Sequence, residues 1–505
     1  MGWLNMNGIW IGRNRGGGIS WQTYWTPQKE PSTLIVTAQT DTTIDFSWTA
    51  ATEPEDGYKL KISTDGVTYT DKVTVNNATT TAQATGLTAG VLYYFKVVAY
   101  KGTHESIGTN VYDTRFKITI DTTKAGSAND TFVLPTAGAG TYNYFVDWGD
   151  GGAEENVVAN TSQTHVYAAP GTYQIKIRGT FPQIYFNNGG DRAKLMTIDN
   201  WGNIIWSSMI SAFYGCSVVQ GVWIDVPNTA EVTNMYSMFR ECSAFNQSVA
   251  NFNTAKVTNM GGMFYGCSAF NQSVANFNTA EVTNMASMFY GCSAFNQSVA
   301  NFNTAKVTNM AYMFYGCSAF NQSVANFNTA EVTDMYYMFY GCSAFNQSVA
   351  NFNTAEVTNM YSMFRGCSAF NQSVANFNTA KVTNMGGMFY GCSAFNQSVA
   401  NFNTAKVTDM SSMFRGCSAF KQSLATFSMT LVANVTSMLQ GANINDTGTT
   451  TNYDATLVAW AAQDVPNSLN FHGGTSKYSV AGGGTAARAS LVADDLWIIT
   501  DGGQL

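Results

Sequence analysis

The chain has 505 residues, a formal net charge of −7 and 11% charged side chains, against 45% hydrophobic and 14% aromatic. That length outgrows a single hydrophobic core, so several domains are expected, and the aromatic content belongs to packed rather than disordered sequence. The shallow charge argues against nucleic acid and anionic membranes as partners, because both need a concentrated positive field.

Residues 1–30 begin MGWLNMNGIWIGRNRGGG and run into Pro27-Gln28-Lys29-Glu30. This Trp- and Gly-rich text fits a short attachment plug with a linker. It carries no basic stretch leading into a secretory apolar run, and no run of about eighteen apolar residues occurs anywhere; neither an export signal nor membrane insertion is expected. The opening resembles the short N-terminal segments of phage tail and fibre proteins, which implies attachment to other virion proteins.

Residues 31–115 alternate apolar and polar positions in short runs broken by turn signals such as Asp65-Gly66 and Asn76-Asn77. That spacing predicts a β-sandwich. Ser47-Trp48, followed by Leu87-Thr88-Ala89-Gly90-Val91-Leu92-Tyr93-Tyr94-Phe95, resembles a fibronectin type III domain with Tyr93 as its corner tyrosine. Ala89 departs from the usual proline. Residues 116–180 carry Asp147-Trp148-Gly149-Asp150-Gly151 and His165-Val166-Tyr167. This pair resembles a PKD domain, a second small Ig-like sandwich. Asp147 and Asp150 read as turn residues rather than calcium ligands.

A degenerate lead-in coil occupies residues 181–227, with Met209, Phe213 and Cys216 in repeat positions. Eight near-identical units of 25 residues follow at 228–427. The first reads Asn228-Thr-Ala-Glu-Val232-Thr-Asn234-Met235-Tyr-Ser-Met238-Phe239-Arg-Glu-Cys242-Ser-Ala-Phe245-Asn-Gln-Ser-Val249-Ala-Asn-Phe252. A fixed period of this length predicts a solenoid, each coil burying its apolar side against its neighbours. Met235, Met238 and Phe239 at i, i+3 and i+4 predict a short helix capped by Thr233 or Asn234, ended in most units by a left-handed glycine such as Gly266. The remainder predicts a strand. The nine cysteines all fall at one repeat position, which points to a column of buried free thiols rather than disulfides or metal ligands. Asn246-Gln247-Ser248 recurs in seven units and predicts an amide ladder that Lys421 interrupts.

The core Val-Thr-x-Met-x-x-Met-Phe-x-Gly-Cys resembles the BspA-like leucine-rich repeat of bacterial surface proteins. That resemblance implies a non-enzymatic surface interaction protein. Residues 428–505 hold one more worn coil and then text reading helix, strand, helix, strand, expected to cap the stack. The fold class is therefore mainly β plus an α/β solenoid: two Ig-like sandwiches, a BspA-like solenoid and a C-terminal α/β cap.

Apart from a Glu/Lys and an Asn/Asp alternation, three positions vary between units: the two residues between the methionines and the residue after Met-Phe. Helical spacing places them opposite the Met-Met-Phe face. They supply a candidate binding stripe of Tyr236, Arg240, Tyr265, Tyr290, Tyr312, Tyr315, Tyr336, Tyr337, Tyr340, Tyr361, Arg365, Tyr390 and Arg415. Tyrosine with serine and glycine is the alphabet of paratopes. Drift of solvent-facing positions after duplication is the competing reading, since units six and seven repeat the variable letters of units one and two.

No catalytic constellation is present. His104, His165 and His472 lie in separate segments, and no phosphate loop, HExxH or nucleophile elbow occurs. No catalytic, metal or cofactor-binding residue is expected, and no cofactor. The expected function is non-enzymatic recognition of a host cell-surface glycan or protein by a bacteriophage virion appendage of the tail-fibre kind, with homo-oligomerisation left open. The alternative is a bacterial cell-surface adhesin.

Overall fold

The computed structural model describes residues 30–52, 55–138, 140–445 and 451–505, together with three short strands, β1 (Leu4–Met6), β2 (Ile9–Arg13) and β3 (Ile19–Ser20), paired antiparallel in that order. The rest of the expected attachment segment lies outside the described residues. The chain is mainly β with few helices, and no sheet closes into a barrel among the described residues.

The first sandwich packs a three-stranded sheet, β4 (Ser32–Gln39), β5 (Ile44–Thr49) and β8 (Thr81–Ala84), against a second sheet. The second holds β6 (Gly57–Ser63), β7 (Thr70–Asn76), β9 (Tyr94–Lys101), β10 (His104–Glu105) and β11 (Tyr112–Asp113). Alternation along β5 sends Ile44, Phe46 and Trp48 inward. Phe46 meets Phe95 with ring centroids 4.8 Å apart, and Trp48 meets Tyr58 edge-on. The Tyr93 hydroxyl accepts the Thr88 N–H at 3.3 Å, closing the tyrosine corner.

In the second β unit a six-stranded sheet runs β15 (Glu155–Val157), β14 (Asn143–Asp147), β17 (Thr172–Thr180), β12 (Phe116–Asp121), β18 (Leu195–Asn200) and β19 (Gln220–Gly221). It faces the pair β13 (Thr131–Leu134) and β16 (Gln163–Val166). Trp148 stacks on His165 at 4.6 Å, and His165 Nε2 lies 2.9 Å from Asp150 Oδ2. Asp147 accepts the Gly149 N–H and pairs with Lys176, so these carboxylates serve their own turns and ion pairs. The sheet takes its last two strands from beyond Thr180. The parallel pairing of β18 with β19 leads directly into the repeats, and one apolar core runs unbroken from Phe116 to Trp497.

From Asn234 onward, single parallel bridges join equivalent residues of successive coils, Asn234↔Asn259↔Asn284 and so on to Asn434. The helix and strand expected in each coil do not form, which corrects the α/β reading of the repeats. Between Met235 and Cys242 the N–H groups alternate. Met235, Ser237 and Phe239 donate to carbonyls of the next coil, each at 2.9 Å, whereas Met238, Arg240 and Cys242 donate three residues back within their own coil. An α-helix would send every N–H four residues back. The residue before the second Met blocks that course by adopting a left-handed backbone: φ is 55° at Ser237, 60° at Gly262 and 59° at Tyr312. The expected left-handed glycine is present, with φ of 71° to 77° from Gly291 to Gly416, and Glu241 takes the same conformation in the first unit.

Val232, Met235, Met238, Phe239, Cys242, Phe245 and Val249 are wholly buried, as are their equivalents up the stack. The cysteines are free and buried, each from Cys242 donating its thiol to a phenylalanine carbonyl of the preceding coil or, for Cys242, to Phe213. Burial raises their pKa, so the thiols are not nucleophiles. The amide ladder forms: Asn246 Oδ1 accepts the Asn271 N–H at 2.9 Å and Gln272 Nε2 at 3.1 Å. At Lys421 it ends, the lysine carbonyl accepting Asn452 Nδ2 instead.

Beyond the stack come α1 (Asn452–Ala461), β20 (Asn470–His472), α2 (Gly484–Ala493) and β21 (Ile498–Thr500), in the expected order. A capping box of Thr451 and Asp454 starts α1. Trp460 Nε1 donates to the Leu424 carbonyl at 3.2 Å, laying the helix over the last coils.

Candidate binding surface

The variable positions fall into two neighbouring columns, positioned by the coil-to-coil register. The column after Met-Phe is a continuous π stack. Tyr265, Tyr290, Tyr315 and Tyr340 lie with successive centroids 4.2, 4.3 and 4.4 Å apart and planes within 5° of parallel. The Arg240 guanidinium lies between Tyr214 and Tyr265, at 5.1 and 4.1 Å. At the other end Arg365 sits between Tyr340 and Tyr390 at 5.5 and 4.1 Å, and Arg415 covers the far side of Tyr390 at 5.3 Å. Arginine is suited to this insertion because its planar, weakly hydrated cation stacks on aromatic faces.

The second column comes from the residues between the methionines. Tyr312 and Tyr337 stack at 5.0 Å, with Tyr336 and Tyr361 meeting them edge-on at 4.6 and 5.2 Å. Tilted contacts of Tyr312 with Tyr315 and Tyr337 with Tyr340, at 5.9 and 5.6 Å, join the columns into one patch across units three to six. Tyr236 lies apart, over Gly261 of the next coil.

All thirteen stripe residues therefore lie on one surface, but the stripe is less open than expected. Only Tyr236 is well exposed, at 41%, and the others are half-buried. Ser237 and Ser362 are fully buried. Absence of the expected helix is the cause: the left-handed residue turns its side chain toward the adjoining coil instead of away from the core. The variable letters are coupled by the same contact. A Cβ on Gly261 would stand 3.2 Å from the Tyr236 ring, and one on Gly386 would stand 3.1 Å from the Tyr361 ring. Tyr236 and Tyr361 thus each lie against a glycine of the next coil, whereas Tyr336 is followed by Tyr361. This contact makes Tyr-Ser followed by Gly-Gly, found in units one and two and again in units six and seven, a compatible pair of letters.

Burial, followed by the hydrogen bonds to Tyr336 and Tyr361 respectively, pushes the Tyr312 and Tyr337 phenols to about 12. Burial also raises Tyr290, which is hydrogen-bonded to Tyr265 and Tyr315. The phenols therefore remain protonated donors at every physiological pH. Sequence reasoning missed Tyr214, which extends the column into the lead-in coil, and Asp334 and Asp409, whose Oδ1 atoms accept the N–H groups of Tyr336 and Ser411 beside the stripe. Tyr214 was legible from its register, two residues before Cys216.

A second polar centre joins the first sandwich to the stack. Asp225 is buried and accepts the N–H groups of Trp201 and Gly202 at 2.8 Å and the Tyr112 hydroxyl at 2.9 Å. Val36 N–H donates to the Ile224 carbonyl at 3.0 Å, and Val226 belongs to the core of the first sandwich.

Residues 207–323, 297–385 and 347–453 match the family model described as Mycoplasma protein of unknown function, DUF285, which supports the BspA-like reading of the repeats. Residues 29–112 match the fibronectin type III domain model. Among solved structures, the chain is similar to a two-domain fibronectin type III segment of chicken tenascin, at 20% identity over 29% of this chain and 89% of that one, with a TM-score of 0.16. It is also similar to the FN1–FN3 domains of chicken CNTN1, at 12% identity over 30% and 62%, with a TM-score of 0.16. No curated protein matches the chain.

Proposed function

We propose that the chain is a non-enzymatic surface-binding protein, built as a solenoid on two Ig-like spacers, the second of the PKD type, and that the tyrosine and arginine stripe is its recognition face. The observation that carries this reading is the joined patch of Tyr290, Tyr312, Tyr315, Tyr336, Tyr337 and Tyr340 on a rigid stack. Ring-to-ring packing holds each side chain in place before any ligand arrives, so little conformational entropy is lost on binding. The histidines support a non-enzymatic role: His165 is held by Trp148 and Asp150, and His472 Nδ1 accepts the Gly474 N–H.

The ligand on this reading is a glycan or protein of a host cell surface, and the chain is a virion appendage attached through its N-terminal segment, as the opening residues suggest by resemblance. The match to a Mycoplasma family favours a second placement, on a bacterial cell surface as an adhesin. Mass spectrometry of purified particles and of cell envelopes separates the two. Recovery only from envelopes of cells expressing no phage genes would exclude the virion. For the stripe, replacing Tyr312, Tyr336, Tyr337 and Tyr361 by serine is expected to weaken binding to host cells at least tenfold with the thermal unfolding profile retained. Unchanged binding by the folded variant returns the stripe to drift.

A further inference from the structure

We infer that the stripe binds an acidic polysaccharide, laid along the stack with its anionic groups on the guanidinium groups of Arg365 and Arg415; this rests on the stripe being the recognition face. The charge pattern of the repeats points there. In the column beginning at Glu231, three of the four lysines, Lys256, Lys306 and Lys381, are each paired with a glutamate of the preceding coil, at 2.8, 2.7 and 2.6 Å, and only Lys406, which follows Lys381, has no such pair among the described residues. Along the tyrosine column the cations are left without such partners. Arg240 has only a 3.7 Å contact to Glu241, and its Nε is buried with no hydrogen-bond partner. Arg365 and Arg415 form no ion pair among the described residues, and each guanidinium lies against the Tyr390 ring.

Stacking uses the faces of these guanidinium groups and leaves their N–H edges, which is the geometry that takes a carboxylate or sulfate through two parallel hydrogen bonds. The same stacking removes the competitors. Single-stranded nucleic acid is held by bases lying on aromatic faces. Here those faces are covered by neighbouring rings at 4.2 to 4.4 Å. An extended acidic peptide advances ~3.4 Å per residue and shows one face only at every second residue, so its carboxylates on that face fall ~6.8 and ~13.6 Å apart and miss a two-coil separation. Arg365 and Arg415 are two coils, or about 10 Å, apart, a separation open to a chain of larger units with an acidic group on alternate sugars. The polymer runs past the phenol edges between the two arginine ends, beginning at Arg240.

The test uses the full chain against immobilised polygalacturonate, chondroitin sulfate, neutral dextran and oligo(dT), at 50 and 500 mM salt. The expected result is binding to at least one acidic polysaccharide ten times or more tighter than to dextran or oligo(dT), weakened at least tenfold by the higher salt. R365Q/R415Q is expected to lose that binding tenfold or more, and R365K/R415K, which keeps the charge without the planar fork, to fall between. The thermal unfolding profile establishes that each variant is folded; should R365Q/R415Q not fold, the lysine pair and the salt dependence decide. Preference for dextran or oligo(dT), no binding to either acidic polymer, or indifference to both arginine replacements overturns the inference. If host-cell binding still depends on Tyr312, Tyr336, Tyr337 and Tyr361 in that event, the recognition face stands and only the ligand class falls. Loss of both removes the recognition face as well.

Discussion

Two left-handed residues per coil set the backbone course of the stack, the one before the second Met and the one that precedes each cysteine. At Gly291 φ is 71°, and a Cβ there would meet nothing closer than the Gly266 Cα at 3.7 Å, an ordinary contact. Room is therefore not the constraint. The cost of a side chain is the backbone conformation itself, about 1–2 kcal/mol for an L-residue, partly offset by the lower entropy of the unfolded alanine chain. G291A is thus expected to destabilise the stack by about 1 kcal/mol. Glu241 occupies the same conformation at φ 61°, so E241G is expected to be neutral or to stabilise by a few tenths of a kcal/mol. Urea unfolding midpoints of the two variants measure this. Equal losses in both would mean that side-chain contacts, not the backbone, fix the position. Gly261 differs, because a Cβ there would press on the Asn259 and Asn284 amides and the Tyr236 ring at 3.1 to 3.2 Å.

The element that repeats is a coil without a helix or a ladder of its own, held by bonds to its neighbours. Asn321 illustrates the division of work: its Oδ1 accepts the Asn346 N–H and Gln347 Nε2, both at 3.0 Å. N321A removes both bonds, but Asn346 is exposed and its N–H turns to water, so the expected loss is about 1 kcal/mol rather than the larger penalty of a buried orphan donor. N321D keeps the acceptor and is expected to stay near wild type in the same unfolding measurement; a loss equal to that of N321A would show that acceptance by Oδ1 is not what matters. The ladder and the thiol column were legible because each depends on identical residues meeting at a fixed period, and the cap because helical and strand patterns take over where the period stops. The helix was misread for a physical reason. Met-x-x-Met-Phe satisfies helical and stacked-turn geometry equally, since both place residues three and four apart on one side. The competing signal was the second variable residue, Ser237, Gly262, Ser287 or Tyr312, left-handed in each case. Glycine declares that conformation in a sequence, and serine and tyrosine do not. Membership of the stripe survived the error because apolar burial still drives Met and Phe inward whatever the backbone does. Its exposure did not survive, because the left-handed turn points one variable side chain per coil at its neighbour.

Across the whole molecule, the junction between the first sandwich and the stack is the place where pH should act. Asp225 is enclosed by Trp201, Gly202 and Tyr112, and burial outweighs their hydrogen bonds and the attraction of Lys117, raising its carboxyl to about 7. The folded state therefore holds a proton that an unfolded aspartate, titrating near 4, releases. Between those two values the native form binds more protons than the unfolded one, and stability contributed by this group falls as pH rises. It is fully present below about 4 and gone above about 7, a change on the order of a few kcal/mol. Above pH 7 the carboxylate is buried as an anion between the two parts, with the Tyr112 hydroxyl as the donor crossing from the first sandwich. Asp113, by contrast, is held below the ordinary carboxylate range by Arg115 and Lys117 despite its burial, and loses its contribution only in stronger acid. Thermal unfolding at pH 4.5, 5.5, 6.5 and 7.5 is expected to show the wild-type transition that includes the first sandwich moving down as pH rises. D225N, which cannot ionise, keeps one acceptor for the backbone donors and is expected to flatten that dependence. Because an amide NH2 faces the Gly202 N–H and the Tyr112 hydroxyl as a further donor, where the protonated carboxyl's hydroxyl oxygen can still accept, D225N should also be less stable than wild type at pH 4.5, and the two profiles should converge toward pH 7.5. Parallel profiles across the whole range would place the titrating group elsewhere and leave Asp225 a purely structural acceptor.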